Sequence, residues 1–353
     1  MFRVGIIGAG SISVEHIRTY IANKECEVVA IADINIELAK KRAEEYKIET
    51  VYSDYHEILN DKEIDAVSIA TPTFTHKQML IEAIESGKHI LCEKPPALNA
   101  TELKECAELA KGYDKCIMFA LAARFWNEIK FLKEYVDSGK MGKILCAEAV
   151  RMHRCDSTKG WFLSKSKSGG GPLIDANIHE IDQALYLMGY PKPKTVMGFT
   201  SDFNKDLPSK IKSFNSGWVS ADENTYERDV ENVASAYITF ENGSYLFIKT
   251  STVLNTVTEG TYIEISGEKA GARVAPLHPG EEIKMVDCID DSYIREFTPV
   301  LDRADPYQEE IDHFVDCCIN GTKCICKMEE AILLMEIIDA IYESARTGEP
   351  VRF

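Results

Sequence analysis

Three side chains in this sequence could together take a proton from a hydroxyl group: Lys94, Asp175 and His179. Lys94 ends the short apolar run Ile90-Leu91-Cys92-Glu93-Lys94 and is followed by Pro95-Pro96. Ligands of open α/β sheets gather beyond the carboxyl ends of the strands. A lysine there can polarise a substrate oxygen or exchange a proton, more so if burial lowers its pKa. The same place also suits a surface lysine ahead of a proline turn, with Lys94–Pro95 a candidate cis bond. Asp175 and His179 follow Ser168-Gly169-Gly170-Gly171-Pro172, where Pro172 is set to open a helix over Leu173–Met188. A spacing of four puts both on one helical face. Imidazole suits the acceptance of an alcohol proton near neutral pH. A neighbouring carboxylate would orient the ring and raise its pKa. An ordinary solvated i,i+4 pair has the same spacing, and Glu180 and Asp182 read as helix-surface acids.

A second constellation lies at the start of the chain. Gly5-Ile6-Ile7-Gly8-Ala9-Gly10-Ser11-Ile12-Ser13 joins the apolar run Phe2–Ile7 to a helical stretch reaching about Lys24. Gly8 and Gly10 permit a tight turn, so that backbone amides as far as Ser11 and Ile12 can approach a pyrophosphate on the positive end of the helix. Ser13 stands where the third glycine of G-x-G-x-x-G serves helix–strand packing, a place a small residue can fill. The next strand pattern, Val28–Ala32, ends in Asp33, 23 residues beyond Gly10. A carboxylate there can accept hydrogen bonds from both adenosine ribose hydroxyls. Ile34 and Asn35 offer no cation for a 2′-phosphate, which favours NAD over NADP. A cofactor that takes a hydride and a base that takes the hydroxyl proton are what oxidation of a secondary alcohol needs. No G-x-S-x-G, H-E-x-x-H or P-loop lysine motif competes with this reading.

The surrounding patterns say what must hold these groups. Phe2–Ile7, Glu27–Ala32, Ala66–Ala70, His89–Cys92 and Cys116–Ala120 are short and rich in Val and Ile, and polar-faced helical stretches (Ile36–Tyr46, Thr75–Gly87, Asn99–Gly112) separate them. That rhythm predicts a parallel sheet covered by helices on both faces. Asn99 is placed to N-cap its helix, and Gly87 and Gly112 fall where C-caps belong. Beyond about residue 125 the strand patterns run on without regular helices: Lys143–Arg154, Thr195–Phe203, Asn232–Phe240, Ser244–Val253, Tyr262–Ser266 and Glu282–Val286. Asn242-Gly243 between two of them predicts a hairpin. This half reads as a mostly antiparallel sheet closed by helices over Pro306–Ile319 and Met328–Ser344, the last with Met328, Ile332, Met335 and Ile338 toward the core.

The chain has 353 residues, with 40 Lys+Arg against 57 Asp+Glu and a net charge of −17. The length suits two domains. An acidic surface opposes binding to nucleic acid or to an anionic membrane, and no apolar run is long enough to span a bilayer. Met1–Ile7 passes straight into the glycine turn with no leader pattern. The 11 cysteines include no C-x-x-C pair and read as reduced thiols of a cytoplasmic protein. Cys317, Cys318, Cys324 and Cys326 cluster in sequence near His313, but the spacing is not that of a usual zinc site, and no metal is assigned.

On these residues the sequence resembles the Gfo/Idh/MocA family of glucose–fructose oxidoreductases and inositol dehydrogenases. The carriers are Gly5–Gly10, Thr71-Pro72-Thr73 with His76, Gly87–Pro95, Arg124-Phe125, Gly169–Asp175 with His179, and Tyr342–Gly348. The resemblance covers essentially the whole chain. It implies a Rossmann doubly wound parallel sheet at residues 1–122 and, at 123–353, an α/β domain with a large open, mostly antiparallel sheet used for homodimer or homotetramer contacts. The last helix would pack back on the first domain. It further implies that Thr71, Pro72 and His76 lie near the cofactor, with Glu93 and Lys94 by the nicotinamide ribose and the reacting carbon. His179 would be the general base, Asp175 its partner and a substrate ligand, and Lys94 an assistant. Asn177 stands where many relatives carry glycine, and its amide could reach substrate. Arg124, His153, Arg154 and Trp161 are further pocket candidates.

The expectation is therefore a cytoplasmic NAD(H)-dependent oxidoreductase acting on a secondary hydroxyl of a sugar, cyclitol or polyol. Two other readings share the motifs: a glycosidase using tightly held NAD for transient oxidation, and a non-catalytic dinucleotide-binding regulator. Specificity is expected in the loops Cys155–Ser168 and Asp202–Thr225.

Overall fold

The computed structural model describes residues 1–154, 159–203, 227–289 and 293–353. The first half alternates strands β1 (Phe2–Ile7), β2 (Cys26–Ala32), β3 (Thr50–Tyr52), β4 (Ala66–Ile69), β5 (His89–Glu93) and β6 (Ile117–Ala120) with helices α1 (Ser11–Ala22), α2 (Ile36–Tyr46), α3 (His56–Asn60), α4 (His76–Glu85) and α5 (Ala100–Leu109). The strands pair in parallel in the order β3-β2-β1-β4-β5-β6. Val4, Ile6, Val67, Ile69, Ile90 and Leu91 are fully buried, as strands covered on both faces require. The strand order reverses between β1 and β4, so the carboxyl ends of β1, β2, β4 and β5 open onto one crevice. Gly8, Asp33, Thr71 and Lys94 stand there, each just past its strand.

Local sequence accounts for the turns. Gly8 has φ +104°, and a Cβ at this position would lie 2.3 Å from the Ala70 carbonyl oxygen, so only glycine lets the β1 turn close on β4. Asn99 caps α5 by accepting from the Glu102 amide at 3.0 Å. Asn242-Gly243 forms the expected hairpin, with Gly243 at φ +85°.

After α6 (Asn127–Asp137) the remaining strands are β7 (Ile144–Met152), β8 (Pro193–Ser201), β9 (Val233–Phe240), β10 (Tyr245–Ser251), β11 (Gly260–Gly267), β12 (Ala270–Val274), β13 (Ile283–Ile289), β14 (Tyr293–Phe297) and β15 (Val351–Arg352). Among the described residues they form one nine-stranded sheet, β14-β13-β12-β11-β7-β10-β9-β8-β15, antiparallel except where β10 runs parallel to β7. Helices α7 (Lys165–Ser168), α8 (Pro172–Asp175) and α9 (Ile178–Met188) cross between β7 and β8, and α10 (Pro306–Asn320) and α11 (Met328–Thr347) follow the sheet. α10 packs on α1, and α11 packs on β8, β6 and α5, where Asp339 accepts from the Ala100 amide at 2.8 Å.

The expected single helix over Leu173–Met188 is two. The Asn177 amide reaches back five residues to the Pro172 carbonyl at 2.8 Å, and the Ile181 amide restarts the ladder on Asn177. One wide turn of this kind inserts a residue and rotates the helix beyond it, so Asp175 and His179 do not share a helical face. The three glycines ahead of α8 answer to crowding. A Cβ on Gly169, Gly170 or Gly171 would stand 2.7 Å from Leu98 O, 2.0 Å from the Tyr342 hydroxyl and 2.0 Å from Glu231 O, respectively. Glu231 also accepts from the amides of Gly171 (2.8 Å) and Leu173 (3.2 Å) and so anchors the start of α8. Gly171→Ala is expected to cost about 2 kcal/mol or more, because the close atom is backbone and cannot turn aside. The check is a lower urea midpoint with an unchanged m-value.

Candidate active site

The turn after β1 leaves a cradle. Gly10 N-caps α1 with no side-chain cap, and a Cβ there would meet nothing within 4 Å, so open space lies above the first helical turn. Ser13 is fully buried and bonds the Gly10 carbonyl at 2.8 Å, filling the packing place of the missing third glycine. Asp33 accepts from the Ala9 and Asn35 amides, each at 2.7 Å, which fixes its carboxylate while leaving further lone pairs for a ligand. A cation that the sequence pattern did not single out comes near: Arg42 Nε lies 3.4 Å from the Ala9 carbonyl, while its Nη1 pairs with Glu45 at 3.0 Å. The second turn of α2 brings it there from well past Asp33, too far along the chain for a search of adjacent residues.

Behind the crevice, His76 is fully buried, its ring nitrogens 2.8 Å from Thr71 O and 2.7 Å from Pro95 O. It ties the loop after β4 to the loop after β5, and burial pushes its pKa down. The Lys94–Pro95 bond between them is cis. Glu93 turns inward as well. One carboxylate oxygen accepts from the Lys94 amide at 3.0 Å, the other lies 2.9 Å from His16 Nε2, and His16 Nδ1 meets Ser68 at 2.6 Å. His76 and Glu93 thus brace the strand-end loop from behind, and their polar atoms are spent on protein. Thr71 bonds Thr75 through its hydroxyl at 2.7 Å beside Pro72.

Lys94 reaches across to the second sheet's helices. Its Nζ donates to Asp175 O at 2.7 Å and to Asp175 Oδ1 at 3.2 Å, both side chains being about one-fifth exposed. Asp175 therefore serves the ammonium and not the imidazole. The expected Asp175–His179 pair is absent among these contacts because of the wide turn at Asn177. His179 also titrates opposite to expectation: burial pushes its pKa well below 6.5, and the Lys94 and Arg151 charges push the same way.

Arg151 is a buried-side cation of the candidate site that the sequence analysis did not single out. It lies on β7 at the period-two positions of Ala147 and Ala149, both buried beneath α9. A charge on that inward-facing row was the available signal. Its Nη1 donates to Glu180 Oε1 at 3.1 Å. Glu180 is not a surface acid, since it is buried and burial raises its pKa. Around these groups several buried polar atoms have no protein partner: both amide atoms of Asn177, His179 Nδ1 and Glu180 Oε2. Such atoms are costly unless something bonds them, which suits a polar ligand. A small cleft opens beside Asp175, lined among others by Phe162, Leu163, Ala176, Arg228 and Thr252.

The other pocket candidates have separate surroundings, and one of them adjoins the cleft. Arg124 is wholly buried and donates to Asp182 through Nε (2.8 Å) and Nη2 (2.7 Å), to Glu330 (2.6 Å) and to the Ile325 carbonyl. Its fork is used up joining α9 to the loop before α11, so it is structural. Arg154 is exposed and bonds Glu259 together with the Thr256 and Val257 carbonyls. His153 lies 3.2 Å from the Thr261 hydroxyl. Trp161 stacks on Phe162 at 3.9 Å beside the cleft. Of the two expected specificity loops, residues 155–158 and 204–225 lie outside the described residues.

Known proteins share this fold. Residues 2–121 match the profile described as "Oxidoreductase family, NAD-binding Rossmann fold" (GFO_IDH_MocA), and residues 133–353 match "Oxidoreductase family, C-terminal alpha/beta domain". The chain is 30% identical over 361 residues to D-glucoside 3-dehydrogenase of Escherichia coli (strain K12), covering 99% of this chain and 97% of that one. It is 27% identical to scyllo-inositol 2-dehydrogenase (NAD(+)) of Bacillus subtilis (strain 168), covering 99% and 96%. Among solved structures, levoglucosan dehydrogenase in complex with NADH and L-sorbose aligns with a TM-score of 0.85 at 25% identity, over 99% of this chain and 98% of that one.

Proposed function

Because the chain belongs to the Gfo/Idh/MocA oxidoreductase family, with an NAD-binding Rossmann sheet, we propose that it oxidises a secondary hydroxyl of a sugar, cyclitol or polyol, or reduces the matching ketone. The observation that carries this reading is the meeting of Lys94, from the end of β5, with Asp175 on α8, four residues ahead of His179, whose buried Nδ1 has no protein partner. The relatives act, by their names, on a glucoside, an inositol and levoglucosan, all ring polyols. Residues 1–122 form the cofactor domain in this reading and 123–353 the substrate domain.

The dinucleotide fits the cradle at Gly8–Ile12, with Asp33 for its ribose and the Lys94 loop for its other end; when bound, its nicotinamide exchanges a hydride with the carbinol carbon. The chain's own groups handle the proton. Two of the three Lys94 N–H donors are held by Asp175, and the third is free to bond the substrate oxygen. The Lys94 and Arg151 charges that keep His179 neutral also favour the oxyanion developing on that oxygen. The neutral imidazole then accepts the hydroxyl proton. Asn177, with both amide atoms uncommitted, is placed to bond a neighbouring hydroxyl.

The test is NAD⁺ reduction, followed by NADH absorbance, across alkyl glucosides, inositols, sugar acids and sugar nucleotides. Turnover of one ring polyol supports the reading. Glycoside cleavage with retained cofactor and no net NADH points to the glycosidase chemistry, and binding without turnover points to a regulator. Asp33→Ala should raise the Kd for NAD⁺ by about 10- to 100-fold, the worth of hydrogen bonds to a charged group. Titration of both cofactors into the wild type checks the preference for NAD over NADP.

A homodimer or homotetramer belongs to the same proposal. Met197, Tyr237 and Phe247 lie in register on β8, β9 and β10 and are each about two-fifths exposed. Tyr237 and Phe247 touch at 4.9 Å. A contiguous apolar row on an open sheet face suits an isologous contact. Phe247→Glu should therefore halve the mass seen by light scattering. The free cysteines suit the cytoplasmic placement in this reading.

A further inference from the structure

One cluster plays no part in this chemistry. Cys116, just before β6, Cys317 on α10 and Cys324 in the following loop place their sulfurs within 4.8 Å of one another. The trio differs from the Cys317–Cys326 run read in sequence, since Cys116 arrives from about 200 residues away and Cys326 faces the buried core. His313, one turn before Cys317 on α10, holds its Nε2 3.4 Å from the Cys317 sulfur. That nitrogen accepts from the Ile325 amide at 3.2 Å, so its one lone pair is committed to the backbone and the ring braces the loop beside the thiols. Cys324 also accepts a hydrogen bond from the Cys326 backbone.

We propose that Cys116, Cys317 and Cys324 form a three-thiolate structural site for zinc or a similar thiophilic divalent ion, the fourth tetrahedral place falling to water. Thiolates are the favoured ligands of structural zinc. Zinc–sulfur bonds of about 2.3 Å place tetrahedral sulfurs about 3.8 Å apart, so the three sulfurs close by at most about an ångström. A disulfide would use two of the sulfurs and leave the third without a role. The sequence spacing hides the site because Cys116 precedes the other two ligands by about 200 residues. The ion has a clear mechanical effect. β6 is the edge strand of the parallel sheet, and the loop carrying Cys324 lies against it, with the Phe119 amide donating to Cys326 O and Arg124 donating to Ile325 O. The ion would fasten the α10–α11 segment to that edge and to the Arg124 joint.

The test uses the full-length reduced protein titrated anaerobically with Co²⁺. One equivalent per chain should bring up thiolate-to-cobalt charge-transfer absorption and the strong visible bands of tetrahedral cobalt, and Zn²⁺ should remove them. Zn²⁺ should raise the Tm of the wild type by about 5 °C or more. Cys116→Ser and Cys324→Ser should abolish the spectrum. Cys288→Ser, at an exposed thiol, should leave both the spectrum and the zinc affinity intact. Absence of charge-transfer absorption in the wild type would overturn the site even if a variant failed to fold. So would an unchanged spectrum in the Cys116/Cys324 double variant, or a disulfide between two of the three in protein purified without oxidant.

Discussion

Lys94→Ala is expected to lower kcat/KM by about 10³-fold while the Kd for NAD⁺ stays within about threefold. The ammonium is held by Asp175 O and Oδ1, outside the cradle formed by the β1 turn and Asp33, so its loss does not touch the adenosine half of a dinucleotide. What disappears is a donor for the substrate oxygen and one of two cations that favour its ionisation. In Lys94→Ala the Asp175 carboxylate is left without its partner and adds a negative charge beside the developing oxyanion, which deepens the loss. Lys94→Arg restores charge but not size or position, and recovery should be partial. Stopped-flow rates at saturating NAD⁺, together with equilibrium cofactor titration, separate the two effects. A Lys94→Ala enzyme within tenfold of wild type on its best substrate would falsify the assignment.

Much of the arrangement is legible in the sequence, for physical reasons that differ by element. The parallel sheet can be read because strands buried on both faces must be continuously apolar, as Val4–Ile7 and Ala66–Ile69 are. The cradle can be read because a tight turn and a close backbone approach both demand glycine at Gly8. The Lys94 position follows from the rule that ligands sit beyond strand carboxyl ends. The Asp175–His179 geometry is not legible, since a single i→i−5 hydrogen bond at Asn177 changes which groups meet, and no local propensity announces it. Arg124 misleads for a related reason. Sequence shows a long cation near the site but not that five acceptors already surround it. Arg151 and the Cys116 thiol acquire their neighbours only through the packing of helices against the sheets, Glu180 on α9 for the one and Cys317 on α10 for the other.

His179 yields the sharper test, because its protonation state has a sign. Protonated imidazole cannot accept the hydroxyl proton, so kcat/KM for oxidation falls as pH drops through the His179 pKa. Burial, with the Lys94 and Arg151 charges, holds that pKa well below 6.5. The acid limb should therefore lie on the acid side of 6.5, with the rate independent of this group above it. Arg151→Met removes a positive charge that opposes protonation, so the pKa rises and the limb moves toward neutral pH by about one unit. Any negative charge that Glu180 then presents to the ring acts in the same direction. His179→Ala should lose about 10³-fold or more in kcat/KM and lose the limb itself, leaving a slow rate without that inflection. A limb that stays put in Arg151→Met, or that survives in His179→Ala, would assign the titration to another group and remove the imidazole from the proton path.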